Sequence, residues 1–390
     1  MIPVSQALDA LFALADPLGV ETMPLDRAVG RVLADDAVAR RDQPPFAASS
    51  MDGYALKRAE ADMHAQLKVI GESAAGHRFE GRVGAGQCVR IFTGAPVPEG
   101  TDMVIIQENV TRQGDVISIV DGPNDSDNIR PAGGDFATGT TLSAPRILSP
   151  QQIALLASMN IAAVPVIRQP HVALISTGDE LVLPGEDPGP DQIIASNTFG
   201  LRAMLENLGC IARVLPIARD NEASLRMAFK LAEGNDLVVT IGGASVGDHD
   251  LVAGVAADLG MEQSFYKVAM RPGKPLMAGR IGDMAMVGLP GNPVSAMVCG
   301  HVFLVPMLRA MLGLGHAPAP RARAVLRADL TGNGPREHYM RAVVEAGEVT
   351  AFDRQDSSLL TVLADANALL VRPPNDGPRR AGDSVDYIPI

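Results

Sequence analysis

The stretch DLVVTIGGASVGDHD, residues 236–250, carries the change of texture on which the architecture turns. Leu237 to Ile241 is an unbroken apolar, β-branched run, which predicts a strand buried on both faces, as in a parallel sheet. It feeds a loop with Gly242, Gly243 and Gly247, then a helix for which Asp250 reads as the cap. Glycines allow successive backbone N–H groups to converge on an oxyanion, and a helix N-terminus adds positive potential. Taken alone, the loop reads more readily as an ordinary βα turn.

The neighbouring segments repeat the unit. VALIS (172–176), Val214–Ala218 and MAMVGLP (284–290) read as further strands. Helices are expected after Ser196/Asn197, Asp220/Asn221, Asp250 and Asn292. Alternating strands and helices over 170–315 predict a doubly wound, mostly parallel sheet, whose ligands sit at the carboxyl ends of the strands. Glu180 follows the first strand and Asp220 the second, so both acids belong to that edge. Leu289–Ser295 follows another strand; there Asn292 reads as N-cap and Pro293 as the first helical residue. Glu180, Asp220 and Asp250 beside a phosphate cradle suggest Mg²⁺ bridging carboxylate and phosphate oxygens, although each acid alone reads as a helix cap or a solvated charge. Lys267, Arg271, Lys274 and Arg280 are the positive counterweight. The turn MRPGKP (270–275) bears two of them and suits phosphate or a tetrahedral oxyanion; a solvated turn has the same composition.

The flanks differ. Residues 1–45 carry a helical pattern behind Ser5, and 138–169 carry another behind a capping box of Ser149, Pro150 and Gln152. Together they predict a helical linker domain, interrupted by a β-rich insertion at 46–137. A small β domain is expected over 320–390. The insertion contains Asp52, Thr93 and Asp135 in turn-rich strings, and the residues themselves give no reason to single them out. The fold class is thus multidomain α/β: one doubly wound domain, a helical linker domain and two small mainly β domains.

Composition narrows the function. The 390 residues carry a net charge of −12, with 4% aromatics and no Trp. A nucleic-acid or anionic-membrane surface is therefore disfavoured. Cys88, Cys210 and Cys299 match no zinc spacing and read as buried thiols in a reducing compartment. His249 has no ligand-spaced partner. Val294–Leu308 reads as too short and too polar to span a membrane. With no secretory pattern near Met1, a cytoplasmic protein is expected.

The strings SSMDGYA, IFTGAPVPEGTDMVI, IRPAGGDF, STGDEL, TIGGASVGDHD, MRPGKP, LPGNPVS and ADANALLVRPP occur in one order along the chain. As a set they resemble molybdopterin molybdenumtransferase, the molybdate-insertion family of molybdenum cofactor synthesis that includes the E domain of gephyrin. The resemblance spans essentially the whole chain. It implies insertion of molybdate into adenylated molybdopterin with release of AMP, dependent on a divalent cation. It also implies a homodimer in which Asp52, Thr93 and Asp135 of one subunit face the other's cleft. Glu180, Asp220 and Asp250 would form the acidic metal and substrate side. The 242–247 loop, with Gly242, Gly243, Ser245 and Gly247, would hold anionic groups together with Gly291, Asn292 and Ser295 at the next helix start. Lys267, Arg271 and Lys274 would hold molybdate or phosphate, Pro290 and Pro293 would shape the loop under the pterin, and Ser357 would come from the C-terminal domain. A molybdopterin adenylyltransferase and recipient molybdoenzymes are candidate protein partners. Two rival readings are adenylylation of molybdopterin by this chain, and a gephyrin-like scaffold without turnover.

Overall fold

The computed structural model describes residues 1–122, 125–243 and 251–390. Contacts divide the chain into two compact units. One comprises Met1–Glu21, Gly30–Val32 and Ile167–Ile390, the other Thr22–Val29 and Leu33–Val166.

The first unit is built on a six-stranded sheet. Its strands are β1 (His171–Ser176), β2 (Ile211–Val214), β3 (Leu237–Ile241), β4 (Glu262–Tyr266), β5 (Met277–Ile281) and β6 (Met284–Leu289). The order is β2-β1-β3-β6-β5-β4. The first four are parallel, and β5 and β4 close the sheet antiparallel. Every residue of β3 and β6 is buried, which is why these runs show no alternation. Helices Asn197–Asn207, Glu222–Ala232, Leu251–Asp258 and Pro293–Cys299 follow strands as expected. Asn221 caps the second of these, its side chain accepting from the Ser224 N–H.

Three sequence expectations need correction. The strand expected at Val214–Ala218 ends at Val214 instead; Pro216 has no N–H to offer a ladder. Only an isolated bridge from Ala218 to Thr177 continues it. The first helix is Val4–Phe12 with Pro3 in the cap position, so Ser5 lies within it and does not cap it. The apolar segment around Val294–Leu308 is part of a longer helical run, Pro293–Met311, of 19 residues and mean hydropathy 1.6, long and apolar enough to cross a membrane by length and composition. Its apolarity goes into the core, since 78% of the tested window is buried. Gly300–Leu304 forms a π turn within the run, ending two residues ahead of Pro306. A wider turn at that point accommodates a proline that cannot donate to the preceding turn.

The main core joins this helical run, the sheet and the apolar stripe Val4, Ala7, Leu8 and Leu11 of the first helix. Tyr339, Leu369, Val371 and Ile388 of the C-terminal region belong to the same cluster. That region is a sheet of Ala322–Leu326, Glu337–Glu345, Glu348–Ala351, Ala368–Arg372 and Ser384–Pro389, to which Met270–Arg271 adds a sixth strand.

The second unit contains a six-stranded sheet over Gly53–Ile119, in the order Met103–Ile106, Gly53–Leu56, Gln87–Ile91, Gln66–Ser73, Val116–Ile119, Val110–Gln113. Its core is Tyr54, Leu56, Leu67, Cys88, Met103, Ile105, Ile117 and Ile119, with Ala61. The helix Pro150–Ser158 lies in the same unit. It has the full capping box: the Gln152 N–H donates to Ser149 Oγ and the Ser149 N–H to Gln152 Oε1.

Candidate functional site

At the carboxyl ends of β1, β3 and β6 a cleft of about 700 Å³ opens. It is lined by Ser176, Thr177, Gly178 and Glu180 after β1, by Asp220, by Ile241, Gly242 and Gly243 after β3, and by Pro290, Gly291, Asn292 and Pro293 after β6. The loops are locked together through backbone bonds. The Thr177 N–H donates to the Ile241 carbonyl, that of Gly178 to Ala218, and that of Gly242 to Leu289, each at 3.1 Å. Asn197 Nδ2 donates to the Gly291 carbonyl at 2.7 Å. Gly242 and Gly243 have φ of +95° and +68°. A Cβ on Gly242 would lie 2.9 Å from the Thr177 carbonyl oxygen, and one on Gly243 would overlap Val252. Glycine is therefore required twice over, by conformation and by space. Among the described residues the Thr177 hydroxyl is buried there without a hydrogen-bond partner. A buried polar atom left open at the floor of a cleft fits a site completed by a polar ligand.

The acids of this edge are Glu180 and Asp220. The Glu180 carboxylate folds back over Gly178, whose φ of +147° leaves it that space. Asp220 is tied to the β1 loop: its N–H donates to Asp179 Oδ1 at 3.2 Å, and the Asp179 N–H reaches back to Asp220 Oδ2 at 3.4 Å. Arg219 braces the same loop by donating to the Asp179 carbonyl at 2.9 Å. The other expected members, Ser245, Gly247 and Asp250, lie outside the described residues. Among the described residues no group of three or more acidic, His or Cys side chains could enclose a metal. Two carboxylates facing one cleft nonetheless fit Mg²⁺, which binds through one or two carboxylates plus substrate phosphates and keeps several waters.

A second pocket, of about 290 Å³, adjoins the first and shares Pro275, Pro290 and Asn292 with it. Its remaining lining includes Arg271, Lys274, Ser295, Arg336, Gln355, Asp356 and Ser357. Its assembly depends on the strand Met270–Arg271, which pairs parallel with Glu337–Glu345 and sets Arg271 opposite His338. That pairing carries the cationic turn onto the C-terminal sheet beside Arg336. The loop bearing Ser357 is anchored to the other wall, its carbonyl accepting from the Val294 N–H at 3.1 Å. The Asp356 carboxylate accepts from the Ser358 hydroxyl and N–H at 2.6 and 2.8 Å, which holds it below the usual carboxylate range. Arg271, Lys274 and Arg336 bring three cations to one small pocket, beside the Asp356 carboxylate, a donor set suited to an oxyanion, with Arg supplying planar forks and Lys a point charge.

Not every expected residue reaches these pockets. Lys267 lines neither; with φ of +72° it lays its ammonium 4.8 Å from the centroid of the Tyr266 ring. Conversely, Arg336 lines the smaller pocket although nothing in the sequence assigned it a role there. In the second unit, Asp52 and Thr93 form a pair: Asp52 Oδ1 accepts from the Thr93 N–H and hydroxyl at 2.7 and 2.8 Å. These bonds lower the Asp52 pKa. Asp135 is exposed and shows only a backbone bond, to the Gln43 carbonyl.

A mostly parallel sheet with its cleft at the strand ends, joined to a cationic pocket, places the protein among α/β folds whose site suits an anionic ligand. Family models agree region by region: a MoeA N-terminal region over 2–160, a probable molybdopterin binding domain over 173–310 and a MoeA C-terminal region over 323–390. The chain is 35% identical over 400 aligned residues to the molybdopterin molybdenumtransferase of Haemophilus influenzae, covering 100% of this chain and 99% of that one. It is 36% identical to molybdopterin molybdenumtransferase 2 of Mycobacterium tuberculosis, over 90% of each. A crystal structure of a molybdopterin biosynthesis MoeA protein from Pyrococcus horikosii matches with a TM-score of 0.85 at 30% identity, over 100% and 99% of the two chains. The chain belongs to the MoeA family of molybdopterin molybdenumtransferases, transferases of molybdenum cofactor biosynthesis. Neither adenylylation nor a scaffold without turnover is favoured by these relatives.

Proposed function

We propose that this chain inserts molybdate into adenylated molybdopterin and releases AMP, with the larger cleft taking the adenylated pterin and the cationic pocket taking molybdate. The observation that carries this reading is the shared wall of Pro275, Pro290 and Asn292, which sets an oxyanion pocket directly against a phosphate-type cleft. The positive end of the helix that starts after Asn292 favours the substrate's anionic groups, while the Gly242 and Val294 N–H groups hold the loops by donating to the Leu289 and Ser357 carbonyls. Arg271, Lys274, Arg336 and Ser357 orient the molybdate against it. Glu180 and Asp220, with Asp250, would hold a divalent cation, which supplies charge neutralisation at the phosphoanhydride when bound. Positioning and electrostatics then carry most of the rate.

Asp52, Thr93 and Asp135 serve, in this reading, the cleft of a second subunit in a homodimer. The tight Asp52–Thr93 pair supports a rigid contribution of that kind. A cytoplasmic location is supported by three buried free thiols, whose pKa values burial raises.

The decisive assay is AMP release from adenylated molybdopterin with Mg²⁺, with and without molybdate, followed by activation of a molybdenum-free apoenzyme. Molybdate-stimulated release with activation is expected. Bound adenylate that is never cleaved would overturn the reading. Mixing Asp52→Asn with Glu180→Gln subunits tests the shared cleft. Partial recovery of AMP release in the mixture is expected; two variants that stay as inactive together as apart would exclude it.

A further inference from the structure

In the second unit Arg90 lies on the strand Gln87–Ile91, half-buried among the buried Cys88, Val89 and Ile91. Its guanidinium carbon sits 5.1 Å from the centroid of the Tyr54 ring, on the strand Gly53–Leu56, and 4.7 Å from that of Phe92, two residues along its own chain. Tyr54 is its antiparallel register partner, and residues two apart in an extended chain point the same way, so both rings come to the one cation. Its terminal nitrogens end on neutral acceptors: Nη1 donates to the Gly53 carbonyl at 3.0 Å and Nη2 to Gln107 Oε1 at 2.6 Å. Glu72, its register partner on the parallel strand, is exposed and takes neither bond. Rings and neutral oxygens thus place this arginine.

What its bonds fasten is the backbone at Asp52. The Gln107 N–H donates to the Asp52 carbonyl at 3.0 Å. Arg90 joins the side chain of the same Gln107 to the next carbonyl along, that of Gly53, so a closed ring of hydrogen bonds runs from Asp52 through Gln107 and Arg90 to Gly53. A Cβ at Gly53 would lie 1.9 Å from the Ile105 carbonyl oxygen, so only glycine lets the strands approach this closely. Asp52 and Thr93 each lie just outside a strand end, one before Gly53 and the other two residues after Ile91. One side chain therefore holds both strand ends from which the Asp52–Thr93 pair projects. The Thr93 bonds keep the Asp52 carboxylate below its usual range, and the positive charge of Arg90 acts in the same direction.

We propose that Arg90 is a positioning residue for the reaction: it fastens the two strand ends that carry Asp52 and Thr93 and sets a positive charge near the Asp52 carboxylate. This rests on the reading that Asp52 and Thr93 serve the cleft of a second subunit. Arg90 acts through that pair, since its own bonds go to the protein.

The test is steady-state AMP release from adenylated molybdopterin by the whole chain, combined with subunit mixing. Arg90→Met keeps the aliphatic stem and removes the charge and the fork; Arg90→Lys keeps the charge and loses the fork. Gln107→Leu opens the hydrogen-bond ring at an exposed residue and leaves the arginine in place. In Arg90→Met, kcat should fall roughly ten- to hundredfold, the scale of a displaced catalytic group, with KM near that of the parent. Arg90→Lys should recover part of the loss, and Gln107→Leu should show a smaller loss in the same direction. Adding Arg90→Met to Asp52→Asn should cost no further activity, because residues that act as one unit are not additive. Arg90→Met subunits should regain AMP release when mixed with Glu180→Gln subunits, and should not when mixed with Asp52→Asn subunits. Unchanged kcat in Arg90→Met, or losses that multiply in the double variant, overturns the assignment in favour of a purely structural arginine. If circular dichroism shows that Arg90→Met does not fold, Gln107→Leu carries the same comparisons with Asp52→Asn, and the same outcomes decide. Asp52→Asn as active as the parent, or no recovery when it is mixed with Glu180→Gln, would instead refute the shared cleft on which the assignment rests.

Discussion

At the scale of single residues the site depends on atoms that are missing. Gly178 leaves room for the Glu180 carboxylate, which occupies the space a Cβ would need, and its φ of +147° is foreign to other residues. Gly178→Ala is therefore expected to swing Glu180 out of the cleft. The carboxylate is the free end of a flexible chain and can move, so the protein should still fold, with a stability loss of roughly 1–2 kcal/mol from the strained backbone. AMP release should fall by at least about tenfold, a loss of about 1.4 kcal/mol in the transition state. A circular-dichroism melt and an AMP-release assay on one preparation separate the two effects. Such positions are legible in a sequence: a glycine directly after a buried strand, two residues before an acid, announces a tight loop at the ligand edge. Lys267 shows the limit of that reasoning, because a positive charge near the right turn says nothing about the ring its ammonium settles over.

Elements differ in how far their ends are written locally. The helix Pro150–Ser158 was readable to the residue, since Ser149, Pro150 and Gln152 each act on neighbours within one turn. Ser149→Ala removes the acceptor for the Gln152 N–H and should lower stability by about 1 kcal/mol. Thermal unfolding measures this, and no change would mean that the box is not limiting. The β1, β3 and β6 loops were equally readable, because strand, loop and helix start are consecutive in the chain. The strand Met270–Arg271 was not. It owes its existence to Glu337–Glu345, far along the sequence, and a two-residue pairing leaves no periodicity to detect. Arg336 was missed as a pocket residue for the same reason: its place beside Arg271 comes from that long-range register. The edge strand β4 and its neighbour β5, which turn a parallel sheet antiparallel, were likewise silent.

For the first unit as a whole, acid response follows from its buried imidazoles. Burial lowers the His301 pKa to about 4. His338 is also lowered to about 4, by burial first and then by Arg271, Arg341, Arg372 and Arg336. Both values lie below the 6.5 of a free imidazole. Between pH 6.5 and 4 the unfolded chain therefore binds more protons than the folded one, so stability rises with pH across that window and falls as acid is added. A shift of this size is worth up to roughly 3 kcal/mol per residue, fully lost only near pH 4. Carboxylates such as Asp236 and Asp376, lowered by their arginine partners, add a separate loss below about pH 3.8. Urea unfolding at pH 7.5, 6, 5 and 4.5 should accordingly show a steady decline that begins well above the carboxylate range. Replacing both imidazoles, His301→Gln with His338→Gln, should flatten the curve between pH 6.5 and 4.5 and leave the steeper drop at lower pH in place. If the double variant declines in parallel with the parent, other groups carry the acid sensitivity, and the two histidines are accommodated in their charged form.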